Sequence, residues 1–142
     1  MAVRVGPGSW SEEEVRRMPT LGFQKQLGIE LLEVEKARIE ARVELGERLL
    51  NSRGGIHGGA LMAIADSMGG MGAVQNLGPA QFTSTLESKT NFLAAPKGDF
   101  LTVRTHALHV GRRTSVWSTV ICDETGRTIS VTTQTQLHFT ND

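Results

Sequence analysis

The chain is short of the residues that mark several protein classes. It has one cysteine, Cys122, in 142 residues. A lone thiol excludes an intrachain disulfide and a thiolate metal cluster, and it points to a reducing compartment. Charge of one sign is also missing, because 15 basic residues cancel 15 acidic ones. That balance excludes a global pull toward nucleic acid or an anionic membrane, so neither is an expected partner. Any anionic ligand needs a local basic patch instead. The opening residues, "MAVRVGPGSWSEEE", carry no apolar signal-peptide core, and a cytoplasmic location is the expectation. The longest apolar stretch runs from His57 to Val74. It is slightly short for a membrane span, dense in glycine and interrupted by Asp66, which argues against a transmembrane helix. Histidines are few: His57, His106, His109 and His138 show no metal-ligand spacing, so neither metal nor cofactor is expected.

What is present is an ordinary globular composition, 39% hydrophobic and 21% charged. The length supports one domain with a core, residues 1–142, with residues 1–27 as a helical extension. No internal repeat or linker interrupts it. Ser11 to Glu14 has capping-box spacing, which predicts a short helix ended by Pro19. "GIELLEVE" reads as a strand. In "KARIEARVEL", Ala37, Ile39, Ala41, Val43 and Leu45 alternate with charged residues, the period of a second strand. A helix over roughly 57–77 follows, with "GPA" at Gly78 closing it, or with an earlier end at Gly70 to Gly72. Four more strands are predicted near 82–93, 100–110, 114–122 and 127–139. In the last, Ile129, Val131, Thr133, Thr135, Leu137 and Phe139 share one face. Because no helix recurs between the later strands, the sheet is expected to be antiparallel. The class is α+β, one curved sheet of about six strands around one long helix.

That helix is apolar nearly all round, so it belongs in a core. Five glycines (58, 59, 69, 70, 72) each weaken it by about 1 kcal/mol relative to alanine. Close approach of sheet or partner backbone is the compensating gain. Asp66 is the anomaly, because an unpartnered buried carboxylate costs several kcal/mol. Either it is a satisfied structural aspartate or it lies at the floor of a cleft as a reactive group. "HGG" at the helix start offers free N–H groups at the positive end of the helix dipole, where Gly58 leaves room for an oxyanion. Simple capping by His57 is the alternative. Gly58 and Asp66 lie eight residues apart, about 12 Å along one helix. A single reacting group cannot touch both within one chain. If both serve one reaction, a two-fold dimer with antiparallel helices must bring Gly58 of one copy to Asp66 of the other.

"NSRGGIHGGALMAIAD" resembles the hot dog-fold acyl-CoA thioesterases, in particular the branch with phenylacetyl-CoA thioesterases and thioesterase superfamily member 2. Asn51, His57, Gly58, Gly59 and Asp66 match the pattern in order and spacing. "TLESKTNFLAAP" and "HVGRRTSVWSTVICDETGRTISVTTQTQLHF" extend the likeness over residues 28–139. The resemblance implies a hot dog homodimer, often a dimer of dimers, with an acyl-CoA substrate. It implies that Asn51 and the Gly58 N–H polarise the thioester carbonyl, that Asp66 of the partner is general base or nucleophile, and that His57 positions the loop. It puts a water-orienting hydroxyl at Thr85, with Ser84 one register away. Gly59 joins the substrate contacts.

Coenzyme A carries phosphates, and Arg112 and Arg113 in the "GRR" turn are the candidate basic patch, with Lys97 behind them. Met62 and Met68 are candidate pocket residues, and Trp10 and Trp117 are read as packing residues. His106 and His109 are expected on opposite faces of one strand; with His138 they are read as surface or satisfied histidines. The competing function is an acyl-CoA-binding sensor or carrier without turnover. Retention of Asp66 favours the enzyme.

Overall fold

Capping and alternation build the elements where the sequence places them. The structure is a computed structural model that describes residues 8–141. Ser11 and Glu14 close both halves of a capping box ahead of α1 (Glu12–Arg17). A 3₁₀ turn, Met18–Thr20, carries Pro19 at its start. A second short helix, α2 (Gly22–Leu27), was not expected, having less than two turns on which to show a period. The strands are β1 (Ile29–Glu35), β2 (Arg38–Glu44), β3 (Gln81–Phe92), β4 (Phe100–Val110), β5 (Thr114–Asp123) and β6 (Thr128–Thr140). All six form one antiparallel sheet in the order β1-β2-β4-β5-β6-β3. The long helix α3 (Gly58–Val74) contacts β2 to β6, so the sheet wraps it in the hot dog arrangement.

The helix runs unbroken through Gly70 to Gly72 and stops at Val74, three residues before the expected end. Side-chain amides replace backbone there: Asn76 donates to the Gly72 carbonyl at 2.9 Å and Gln75 to the Met71 carbonyl at 3.4 Å. The same two amides reach the Lys36 and Glu35 carbonyls, tying the helix end to the β1–β2 turn. Ile64, Met68 and Met71 of α3 are fully buried against Ile39, Val43, Leu101, Val103 and Ile121. Each such side chain contributes about 1.5–3 kcal/mol over an exposed one. Gly69 and Gly72 face the sheet, where a Cβ would sit 2.3 Å from Gln134 and 2.6 Å from the Trp117 ring. The close approach is therefore of sheet side chains, where the sequence reading expected backbone.

Bulges reset the alternation in four places, the first at Leu32 in β1. Ile129 is the extra residue opposite β5 and enters the core, while Val131, Thr133, Thr135, Leu137 and Phe139 remain on the outer face. Leu108 is the extra residue in β4, so His106 and His109 oppose Ser118 and Val116 and share the outer face, contrary to expectation. Leu86 is the extra residue in β3. The N-terminal segment docks on this frame. Trp10 N–H donates to the Val74 carbonyl at 2.9 Å, and Val15 and Leu27 are buried. Arg48 clamps the end of α2 by donating to the Gln26 and Leu27 carbonyls. Among the described residues, no helix is long and apolar enough to cross a membrane.

Candidate active site

Asp66 is half-buried and not unpartnered. Its Oδ1 accepts from Thr85 Oγ1 at 2.7 Å and from Gln134 Nε2 at 3.3 Å. The Gln134 amide also donates to the Asp66 carbonyl at 3.3 Å. Gln136 Nε2 donates to Thr85 Oγ1 at 2.8 Å, which directs the threonine proton onto Asp66. Thr83 in turn donates to Gln136 Oε1 at 3.1 Å. Charge-assisted hydrogen bonds of this kind hold one carboxylate oxygen and leave Oδ2 without a partner among the described residues.

The sequence arranges this through β3 and β6. Thr83 and Thr85 turn toward α3. Beyond the Leu86 bulge the phase changes, and Thr90 and Phe92 turn inward instead. Without that extra residue, Thr85 and Phe92 would lie on opposite faces. Gln134 and Gln136 are fully buried, two apart on β6, and both were missed in the sequence. Their signal was two amides at period two beside an apolar row, opposite a helix with glycine at 69.

The helix start is a separate cluster. His57 caps it, its Nδ1 accepting from Gly59 N–H at 2.8 Å, so the neutral ring carries its proton on Nε2. Gly58 N–H has no acceptor among the described residues. Phe92 lies over Gly58, and a Cβ there would meet the ring at 3.2 Å. Asn51 Oδ1 accepts from the Arg53 and Gly55 N–H groups, fixing the 51–55 loop and leaving the side-chain NH₂ free. Gly54 turns that loop at φ +81, a conformation that suits glycine. Asn51, His57 and Gly59 are exposed.

The sequence pattern of the thioesterase superfamily matches residues 53–130. The chain is 31% identical over 111 residues to 1,4-dihydroxy-2-naphthoyl-CoA hydrolase of Listeria monocytogenes, covering 78% of this chain and 90% of that one. This chain belongs to the thioesterase superfamily. A thioesterase of Haemophilus influenzae superposes with TM-score 0.81 over 96% of this chain and 95% of its own, at 23% identity, which shows the shared fold. A hypothetical thioesterase protein of Streptococcus pneumoniae, solved with coenzyme A, matches at TM-score 0.72 and 26% identity over 80% of this chain and 87% of its own. Hydrolysis of thioesters is the chemistry of this superfamily.

Within one copy of the thioesterase chain, the expected site residues fall into three groups. Asp66 and Thr85 meet in the middle of α3. Ser84 opposes Leu137 on the outer face and takes no part in that contact. Asn51, His57, Gly58 and Gly59 gather at the helix start. Arg112 and Arg113 lie at the opposite end of β3, where Gln81 donates to the Arg112 carbonyl. About 35 Å of strand separates them from Phe92 and Gly58. The two arginines are exposed and line a groove of about 540 Å³ with Gln81 and His138. Lys97 is exposed, and its N–H donates to Asp123.

Met68 is sealed in the core and Met62 is open to solvent, so only Met62 is free to face a ligand. Trp117 packs on Gly72 and Trp10 packs against the core, both as expected, and Trp10 also lines a cavity beside Asp66. His138 is buried, not on the surface. Its Nε2 pairs with Ser115 Oγ at 2.9 Å, and its Nδ1 turns toward the Gly111 and Arg112 carbonyls without closing a hydrogen bond. Burial pushes this imidazole below the ordinary histidine range, partly offset by those carbonyls.

Proposed function

We propose that the protein hydrolyses acyl-CoA thioesters as a homodimer, with Asp66 as the reacting carboxylate. The observation that carries the reading is the pair of unfilled groups on one helix. Asp66 is anchored through one oxygen with the other free, and Gly58 N–H is unpaired at the positive end of the dipole. They stand about 12 Å apart along the axis, too far for one carbonyl. Antiparallel helices in a dimer would set Gly58 of the partner subunit against Asp66, forming two shared sites. The naphthoyl-CoA hydrolase relative and the coenzyme A-bound neighbour support an acyl-CoA substrate.

In this reading the Gly58 N–H and the Asn51 NH₂ donate to the thioester oxygen, where negative charge builds in the transition state. His57 contributes its Nε2–H to the same region and positions the loop, with Gly59 holding its ring. Asp66 Oδ2 takes a proton from water as the water attacks, or attacks the carbonyl carbon itself. Either way the C–S bond breaks and the thiolate of coenzyme A takes up a proton; attack by water gives the acid directly, and attack by Asp66 gives an aspartyl anhydride that water then hydrolyses to the acid and the free carboxylate. Thr85 keeps one lone pair to receive a hydrogen bond from water. Arg112 and Arg113 are assigned to the coenzyme A phosphates, which they can approach only in the assembled dimer. The uncharged outer face of β5 and β6 suits a dimer of dimers.

Replacing Asp66 by Asn tests this. Free-thiol release from acetyl-, hexanoyl-, benzoyl- and palmitoyl-CoA should fall by about 10²–10⁴-fold in the variant, with folding retained. Undiminished release would remove Asp66 from the reaction. Mixing Asp66→Asn chains with Gly58→Val chains should restore turnover in mixed dimers, because one of their two sites has both parts intact. Binding of these thioesters by the natural chain without thiol release would instead mark a sensor or carrier.

A further inference from the structure

The carboxylate of Asp66 touches more than the sheet. On the other flank of α3, a cavity of about 370 Å³ lies between the helix and the N-terminal segment. Trp10, Met18, Leu21 and Phe23 wall it, Gln24 borders it, and Asp66 and Ser67 close its inner end. The N-terminal segment, which supplies most of these walls, is fastened at both ends, by Trp10 on Val74 and by Arg48 on α2. Phe23, 67% exposed, also lines a second hollow that reaches His57 and Gly59. Its ring therefore stands on the rim between the carboxylate and the helix start.

We propose that this cavity is the acyl pocket, and that it selects uncharged, apolar acyl groups over dicarboxylic ones. The proposal rests on the hydrolytic reading above. The volume falls within the range of small-molecule sites, about 300–1,000 Å³. Aromatic and aliphatic side chains supply the walls, so an aryl or medium-length alkyl group gains by leaving water there. Among the described residues, no lysine, arginine or histidine lines the cavity. A second carboxylate on the acyl group would lose its hydration without a cation and would face Asp66 at short range. Gln24 and Ser67 leave room for a hydroxyl or ketone. The base and the acyl pocket then belong to one subunit, while the partner subunit holds the carbonyl oxygen. The N-terminal segment, which lies outside the matched superfamily region, becomes the part that sets specificity.

The test compares kcat/KM for benzoyl-, hexanoyl-, acetyl- and succinyl-CoA, read by thiol release. The natural enzyme should prefer benzoyl- or hexanoyl-CoA to succinyl-CoA by about tenfold or more. Leu21→Trp, which fills the cavity, should lower the benzoyl-to-acetyl ratio by about tenfold. Gln24→Lys, which adds the missing cation, should raise the succinyl-CoA value severalfold. Binding is read separately from turnover through Trp10. Trp117 is buried in the core, so a change in tryptophan emission on adding phenacyl-CoA, an uncleavable thioether, reports the cavity. Leu21→Trp and Gln24→Lys changing all four substrates in equal proportion would overturn the proposal, as would unchanged emission at saturating phenacyl-CoA. An emission change with no thioester cleaved would refute the hydrolytic reading and leave the pocket standing.

Discussion

The two halves of the sheet treat α3 in opposite ways. On β2 and β4 the inward residues Ile39, Ala41, Val43, Leu101 and Val103 are apolar and fully buried, and the polar Thr105 beside them is paired with Thr119 at 2.8 Å. Their outer neighbours Arg38 and Arg104, both exposed, form ion pairs with the half-buried Glu40. On β6 the pattern is reversed. Ser130, Thr132, Gln134, Gln136 and His138 face inward and are buried, while Val131, Leu137 and Phe139 remain partly exposed outside. One register row shows the change directly: Ala41, Val103 and Ile121 lead to Ser130. Among the described residues, the four buried polar side-chain atoms without a partner, on Ser88, Ser130, Gln134 and His138, all lie on β3 or β6. Each such atom costs about 1–3 kcal/mol. One half of the sheet thus carries stability and the other carries the groups that hold Asp66, at some cost to stability.

The sharpest break of this comparison is Ile39→Ala. It should cost about 2–5 kcal/mol, seen as a lower denaturant midpoint, with kcat per folded molecule little changed. Gly69→Ala comes next. Its methyl would collide with Gln134, so it should cost about 1–3 kcal/mol despite alanine's better helix propensity, and it should slow turnover by displacing the amide. Gly70→Ala is the control: a Cβ there meets nothing within 4 Å in this chain. It should stabilise by up to about 1 kcal/mol, and a loss would mean that another copy occupies that space.

Gln134→Leu sharpens the contrast by separating the two properties. It removes a donor from a carboxylate, so kcat should fall about tenfold. It also removes an unpartnered buried oxygen, so the melting temperature should hold or rise. The smallest effect concerns pH. His138 is held below its ordinary range by burial, so its contribution to stability is complete above about pH 6.5. That contribution is lost as pH falls through the lower folded value. Melting temperatures from pH 7.5 to 5 should therefore decline less in His138→Gln than in the natural chain. An equal decline would place the acid sensitivity elsewhere.

Much of this is legible in the amino-acid sequence alone. Capping at Ser11, alternation in "KARIEARVEL" and the apolar run after His57 are written in residue spacing, which the covalent chain sets by itself. The oddity of Asp66 and the distance from it to Gly58 follow from helix geometry alone. Thr85 and Ser84 could not be separated that way, because their assignment depends on which face the strand presents at Leu86. The glutamines were hidden for a related reason. Alternation on β6 reveals two faces and nothing about which one meets the helix. Gly69, by making room for a side chain across the interface, selects the polar face.

The sequence by itself determined the long helix, the six strands, their antiparallel sense and the one carboxylate that needed an explanation, since these rest on local spacing and on the cost of burying charge. Only the tertiary structure decided which face of β6 turns inward, which oxygen of Asp66 is held and what lies on its far side. Those depend on residues distant in the chain, Gly69 with Gln134, Thr85 with Asp66 and Trp10 with α3, that meet only when the sheet closes around the helix.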